Sequence, residues 1–379
     1  MSISAHHNFI YGGFLVTETD ISQRDIKNNE TVFTGDIGIE GNNSDNCYHV
    51  MRAVQILDVV TICHGNANGT LDPNRFGGGV YVYRASSIYR NCIFRDNYAS
   101  INGGAVFMDT WGYDVVFENC LFYNNSAKYG GAIISYRYVT VINNCTFAKN
   151  TSVSGTGGID LFNFGYSPHF ADITNSVFYC NDSDDFYILD EATIPDINNC
   201  AVEGGIGITY YGENNIVLSS NNSGDPDSPY FSDPDKGHWW IQEYSPLRNA
   251  GIWNSDVPAY DLAGFTRDAV PDIGCYEYDP SSIEDDVSAL PLTTELYQNY
   301  PNPFNPVTNI LFSLKRAGIV ELSVFNIAGQ LVKKLAVNEM EAGRHSIMFD
   351  ASGLNSGLYY YRLKVNGVMK DSKKMLYLK

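Results

Sequence analysis

Between residues 60 and 210 the chain alternates apolar and polar positions in short runs, each closed by asparagine or glycine. The runs recur. One reads Asn91-Cys92-Ile93-Phe94, then Asn97, then Gly103-Gly104-Ala105-Val106. The next reads Asn119-Cys120-Leu121-Phe122, Asn125 and Gly130-Gly131-Ala132-Ile133, and a third reads Asn144-Cys145-Thr146-Phe147, Asn150 and Gly157-Gly158-Ile159. Weaker copies start at Asn175 (with Phe178 and Asn181) and at Asn199 (with Cys200, Gly204 and Gly205). The starting asparagines are 28, 25, 31 and 24 residues apart.

A period near 25 with few-residue strands and glycine corners predicts the coils of a parallel β-helix. In a strand, residues two apart share a face. Stacked coils therefore predict a column of Cys92, Cys120, Cys145 and Cys200 and an aromatic column of Phe94, Phe122, Phe147 and Phe178. Asn97, Asn125 and Asn150 fall where the strand ends. There an asparagine tolerates the left-handed backbone of a corner, and its amide can bond along the stack. The glycine pairs serve the second corner. Helical periodicity is absent, and a propeller blade would need about 40 residues.

The pattern changes after Tyr278. Residues 279–293 are polar and read as a linker. Beyond them Asn309–Leu314, Val320–Asn326, His345–Phe349 and Leu358–Val365 alternate as antiparallel strands do, with Ala328-Gly329 and Asn355-Ser356-Gly357 at turns. A small β-sandwich over 294–379 is expected. Charge marks a similar division. From Leu290 onward there are 11 basic and 6 acidic residues, while the whole chain carries a net charge of -19. The long acidic part argues against nucleic acid and anionic membrane surfaces as partners. No apolar run approaches the ~18 residues of a transmembrane span.

These motifs carry two resemblances. The Asn-Cys-x-Phe and Gly-Gly-Ala-Ile units resemble the polymorphic outer-membrane-protein type, and Ile10–Phe14 and Thr34–Ile37 look like its early coils. Tyr244–Gly251, Asp261–Gly264, Arg267 and Asp272–Tyr278 are similar to the closing segment of choice-of-anchor β-helix proteins, and are expected to form the final coil. The resemblance implies an all-β body over 1–278, a right-handed parallel β-helix of pectin-lyase-like type, and no single activity.

The tail opens on Pro301, Asn302, Pro303, Phe304, Asn305 and Pro306. It continues through Gly329, Gly357 and Tyr359 to Lys373, Lys374 and a terminal apolar strand. It resembles the type A C-terminal sorting domain of the type IX (Por) secretion system. That implies an Ig-like antiparallel sandwich and the type IX machinery as partner. It also implies a protein secreted or attached to the outer-membrane surface, often with the tail removed. Met1–His7 lacks the charged and apolar regions of a signal peptide, so the signal peptide and N-terminal cap are expected to precede residue 1.

Candidate chemistry is sparse. The four cysteines in one repeat phase read as small buried residues, although coils ~4.8 Å apart leave a disulfide open. Zinc is not expected without C-x₂-C or paired histidines. Asp182, Asp184 and Asp185, with Asp190-Glu191, read as a solvated loop, and no Lys or Arg lies between Lys149 and Lys236 to serve as a lyase base. Asp225, Asp227, Asp233 and Asp235 read as a turn. No cofactor is expected, and calcium is the one cation weighed. His64 is expected to face solvent or to stack along the coils. Trp111 and Tyr113, Tyr136 and Tyr138, and Trp239-Trp240 are candidates for a sugar-stacking strip. The resulting expectation is an adhesin-like surface protein that binds a glycan, with no catalytic residue assigned. A polysaccharide lyase or glycoside hydrolase is the alternative, and a purely structural passenger the third reading.

Overall fold

The computed structural model describes residues 8–279 and 294–379 apart from 16–17, 19, 27–28, 112, 137–139, 163–170, 183–184, 189–194, 205–211, 220–227, 235–236, 298, 300–301, 303 and 341–342. Chain contacts divide it into two units, one of 1–220 with 229–278 and one of 221–228 with 279–379.

The first unit is a β-solenoid. A representative coil runs through Ser87–Arg90, Ile93–Arg95, Tyr98–Asn102 and Val106–Asp109, and each strand pairs in parallel with its counterparts one coil away. Four parallel sheets result. In the order the chain visits them, they form the first, second, third and fourth faces of the solenoid, with 7, 8, 4 and 6 described strands.

The inward residues make one continuous core. Tyr89, Phe117, Ile142 and Ile173 come from the first face, and Val80, Val106, Ile133 and Ile159 from the fourth. Phe94, Phe122, Phe147 and Phe178 come from the second, as a stack with ring centroids 4.6, 4.5 and 4.6 Å apart and nearly parallel planes. Beside it runs a column of Cys92, Cys120, Cys145, Ser176 and Cys200. Cys145 and Ser176 accept through sulfur and hydroxyl from the preceding coil: the Cys120 amide donates to Cys145 Sγ at 3.4 Å and the Cys145 amide to Ser176 Oγ at 3.1 Å. All eight cysteines are free thiols.

A second polar column stands at the corner between the second and third faces. Asn97 Nδ2 donates to Asn125 Oδ1 at 3.0 Å, Asn125 Nδ2 to Asn150 Oδ1 at 2.9 Å and Asn150 Nδ2 to Asn181 Oδ1 at 3.0 Å. The left-handed residues are not these. They are the residues immediately before them, Asp96, Asn124, Lys149 and Cys180, together with the motif-starting Asn91, Asn119, Asn144, Asn175 and Asn199. The inward asparagine instead needs an extended backbone to aim its amide along the stack. The glycine corner does take positive φ, at Gly103 and Gly130, where a Cβ would lie 2.2 and 2.3 Å from a carbonyl oxygen.

The segment expected to be the final coil is not one. The described residues of 229–278 add no strand to any parallel sheet, and the hairpin of Phe231–Asp233 with His238–Ile241 is antiparallel. They run as a strap along the outside of the second face. Trp239, Leu247, Ile273 and Cys275 bury against Leu121, Ala148, Val177 and Ala201, the outward residues of successive coils. The physical reason is that this face is apolar on both sides and needs a cover, as doubly buried parallel strands do.

In the second unit, two antiparallel sheets enclose one core. One contains Val307–Leu314 and Gly343–Asp350, and the other Gly318–Asn326, Leu331–Met340, Gly357–Val365 and Val368–Tyr377. Phe312, Val324, Phe349, Tyr361 and Met375 meet between them. The arrangement is consistent with a small Ig-like sandwich.

Candidate functional site

Outward positions of the fourth face carry a run of aromatic side chains. Strand register places Tyr83, Asp109, Tyr136 and Phe162 in one row and Tyr81, Phe107, Ile134, Asp160 and Tyr187 in the next. The rings touch in sequence. Tyr81 stacks on Phe107 at 5.3 Å, Tyr136 meets Phe107 and Phe162 edge-on at 5.5 and 5.3 Å, and Phe162 tilts against Tyr187 at 5.6 Å. Phe76 caps Phe107, which is buried, so this end of the inner row is closed. The outer row is more open, with Tyr83 exposed and Tyr136 and Phe162 half-buried, and Tyr187 is exposed at the other end of the inner row. Trp111 is exposed and joins the row through Arg84, whose guanidinium lies 5.2 Å from the Tyr83 ring centre and 5.1 Å from that of Trp111. Tyr113 is exposed beyond it, and Tyr138 lies outside the described residues. Sequence reasoning missed Tyr83, Phe162 and Tyr187. Tyr83 and Phe162 each stand directly after an inward residue, Val82 and Leu161, in the strand that follows a glycine pair, and that outward position was their signal.

Other candidates are occupied differently. Trp239 is buried in the strap's core, and Trp240 packs on Tyr276 with ring centres 4.4 Å apart, so this pair offers no strip. Asp185 accepts from Asn181 Nδ2 at 2.8 Å and so finishes the asparagine column; Asp184, Asp190 and Glu191 lie outside the described residues. Lys149, the basic residue closest in sequence to that loop, donates to the Pro234 carbonyl at 3.0 Å and lies over Trp239. Of the proposed calcium turn, Asp233 ends a strand and Asp225, Asp227 and Asp235 lie outside the described residues. Among the described residues no three His, Cys, Asp or Glu side chains are grouped to hold a metal.

The strap is anchored by a buried ionic group. Arg267 pairs with Glu277, donates to Asn119 Oδ1 at 2.6 Å and donates to the Gly274 carbonyl at 3.1 Å. Asp261 accepts from the Ala263, Phe265 and Glu277 amides and Asp272 from those of Asn249 and Tyr278. Burial pushes both carboxyls up to about 6, against the opposing pull of these amides and of Arg267. Desolvation of a charge outweighs hydrogen bonding here. The motif-starting asparagines complete the anchor: Asn119 donates to the Tyr260 carbonyl at 3.1 Å and Asn175 to that of Ile252 at 2.9 Å.

In the second unit the Pro-Asn-Pro-Phe-Asn-Pro segment clamps the last strand. The buried Phe304 donates its amide to the Leu376 carbonyl at 3.0 Å and accepts from Leu378 at 3.1 Å, while Asn302 Oδ1 takes the Leu376 amide at 2.8 Å. The Pro306 carbonyl accepts from Ala351 at 2.9 Å. Asn305 is exposed, and Pro301 and Pro303 lie outside the described residues. Gly329 takes φ of 74° in the turn after Asn326. Tyr359 donates to the Asn355 carbonyl at 2.8 Å, beside Gly357. Lys373 lies 3.7 Å from Asp371, and Lys374 is exposed.

Residues 298–377 match the secretion system C-terminal sorting domain. The protein is a secreted or surface-associated β-solenoid exported by the type IX route. No described helix is long and apolar enough to cross a membrane. A comparison with curated proteins finds no match. Among solved structures, a Bacillus anthracis chain whose title assigns it provisionally as a lipoprotein is similar at 13% identity. The likeness covers 27% of this chain and 97% of that one with a TM-score of 0.17, too low to bear on the fold.

Proposed function

We propose that this protein is an adhesin-like surface protein whose solenoid, a right-handed β-helix over 1–278 of the polymorphic outer-membrane-protein type, binds an extracellular glycan. The linker 279–293 and tail 294–379 deliver it to the outer membrane. The observation that carries the reading is the outer row of the fourth face, where Tyr83, Tyr136 and Phe162 recur at coil spacing with Trp111 beside them. Coils repeat every ~4.8 Å, so the row is a ruled track of aromatic rings, with Asp109 between Tyr83 and Tyr136. Sugar rings stack their CH faces on aromatic rings, and arginine and tyrosine at the rim supply polar contacts. Right-handedness rests on the strong general preference of parallel crossovers.

A polysaccharide-degrading enzyme needs a base or a carboxylate pair converging on one groove. On this row the carboxylate at hand is Asp109 and the cation is Arg84, which is engaged by two rings. The test is a glycan array paired with a screen for new reducing ends and unsaturated products, with and without calcium. Binding without product is the expected result; product release from any bound polymer would replace the adhesin with an enzyme.

A further inference from the structure

A cleft of about 340 Å³ opens at the corner between the second and third faces, lined by Asn43, Asn46, His64, Asp96, Tyr98 and Asn124. It lies at the lower end of the ~300–1,000 Å³ usual for small-molecule sites. We infer that it is a second binding site, for a single neutral sugar residue, and that it completes the glycan-binding reading by holding a chain end or branch.

The solenoid builds this cleft by its own repeat. His64, Asp96 and Asn124 are left-handed corner residues of successive coils, with φ of 60°, 55° and 54°. Each is followed by a residue whose polar atoms serve the interior: Gly65 donates to Asn97 Oδ1 at 3.0 Å, and Asn97 and Asn125 form the inward column. The corner residues therefore turn their side chains out. Above them the segment Asn43–Asn46 closes one wall, where Asn46 Nδ2 donates to the His64 carbonyl at 2.9 Å. The other half of that amide, Asn46 Oδ1, is buried with no partner among the described residues.

The lining selects the ligand class. Asp96 is already paired with Arg95 at 2.8 Å and accepts from Asn124 Nδ2 at 3.4 Å, so the walls offer neither the several carboxylates a divalent cation needs nor a free cation for phosphate. What remains are amides, an imidazole and a carboxylate that can both donate to and accept from hydroxyls. Tyr98, 43% exposed, supplies an aromatic wall. Mixed donors and acceptors, with the one carboxylate offset by Arg95, beside one ring, suit a polyhydroxylated neutral ring.

The experiment is saturation-transfer NMR on the full chain with glucose, galactose, mannose, fucose and N-acetylglucosamine, each at ~10 mM, where weak sites of Kd near 1 mM are filled. The variants are Asp96→Asn, which keeps a residue tolerant of the left-handed backbone, and Tyr98→Ala, on an exposed strand position. Their melting curves report that they fold. Transfer to at least one sugar, with affinity lowered about tenfold in both variants, is expected. No transfer from any of the five, or transfer indifferent to both variants, overturns the site. Polymer binding by the fourth face is read separately on the array. Polymer binding with a silent cleft removes this inference alone, and a responsive cleft without polymer binding removes the aromatic track alone.

Discussion

At the scale of single residues, the solenoid is held by columns in which one side chain repeats its neighbour's contacts. Phe122 lies between Phe94 and Phe147 with no exposed surface. Truncating a buried phenylalanine leaves a cavity as well as losing its transfer energy, so Phe122→Ala is expected to destabilise the first unit by about 3–5 kcal/mol in denaturant unfolding. A loss below about 1 kcal/mol would mean the column is not load-sharing. The thiols make a second expectation. Burial raises Cys120, Cys200 and Cys275, with Cys200 pushed up to about 12, and Cys180 is raised to about 11 by burial and Glu203. Reactivity follows thiolate, so alkylation of the native protein near pH 8 should spare these four until denaturant is added. The period-two rule makes the Cys and Phe columns readable from sequence. The left-handed backbone was expected at Asn97, Asn125 and Asn150 and sits one residue earlier. The left-handed position carries Asp96, Asn124, Lys149 and Cys180, so no constant residue type marks it, and the constant asparagine stands one residue later.

At the scale of elements, the strap is what sequence reading placed wrongly. Its cue was present: Leu121, Ala148, Val177 and Ala201 are apolar at positions opposite the inward phenylalanines, so the second face is hydrophobic on both sides. The resemblance to closing segments drew attention to the end of the helix instead of its flank. Removing Arg267 leaves Glu277 buried and unpaired. Arg267→Met is therefore expected to cost about 3–5 kcal/mol, with hydrogen exchange rising first in 244–278. Asp261 and Asp272 set a pH dependence. Their folded pKa of about 6 lies above the ordinary carboxylate value, so the folded state holds these protons more tightly. Their stabilisation is full below about pH 4 and fades as pH rises through about 6. The first unit should melt higher near pH 5 than near pH 7.5, and Asp261→Asn should flatten that slope. An identical slope in the variant would assign the effect to other groups.

At the scale of the molecule, two units divide address from work. The boundary was legible because charge, strand length and periodicity all change after Tyr278. The ligand-facing surface was legible only in part. Trp111 and Tyr136 stood out as aromatic, but the row joining them to Tyr83 and Phe162 exists only once coils are stacked in register. Deleting 294–379 should leave a folded solenoid that no longer reaches the cell surface, measured by surface proteolysis of intact cells; normal display would deny the tail its role. The most direct test of the whole account is glycan-array binding of the full chain beside a Tyr83→Ala, Trp111→Ala double variant. Binding to a polymer that falls at least ~10-fold in the variant, with unchanged melting, is the predicted result. Equal binding by both proteins, or none by either, would contradict the aromatic track as the reason this protein is exported.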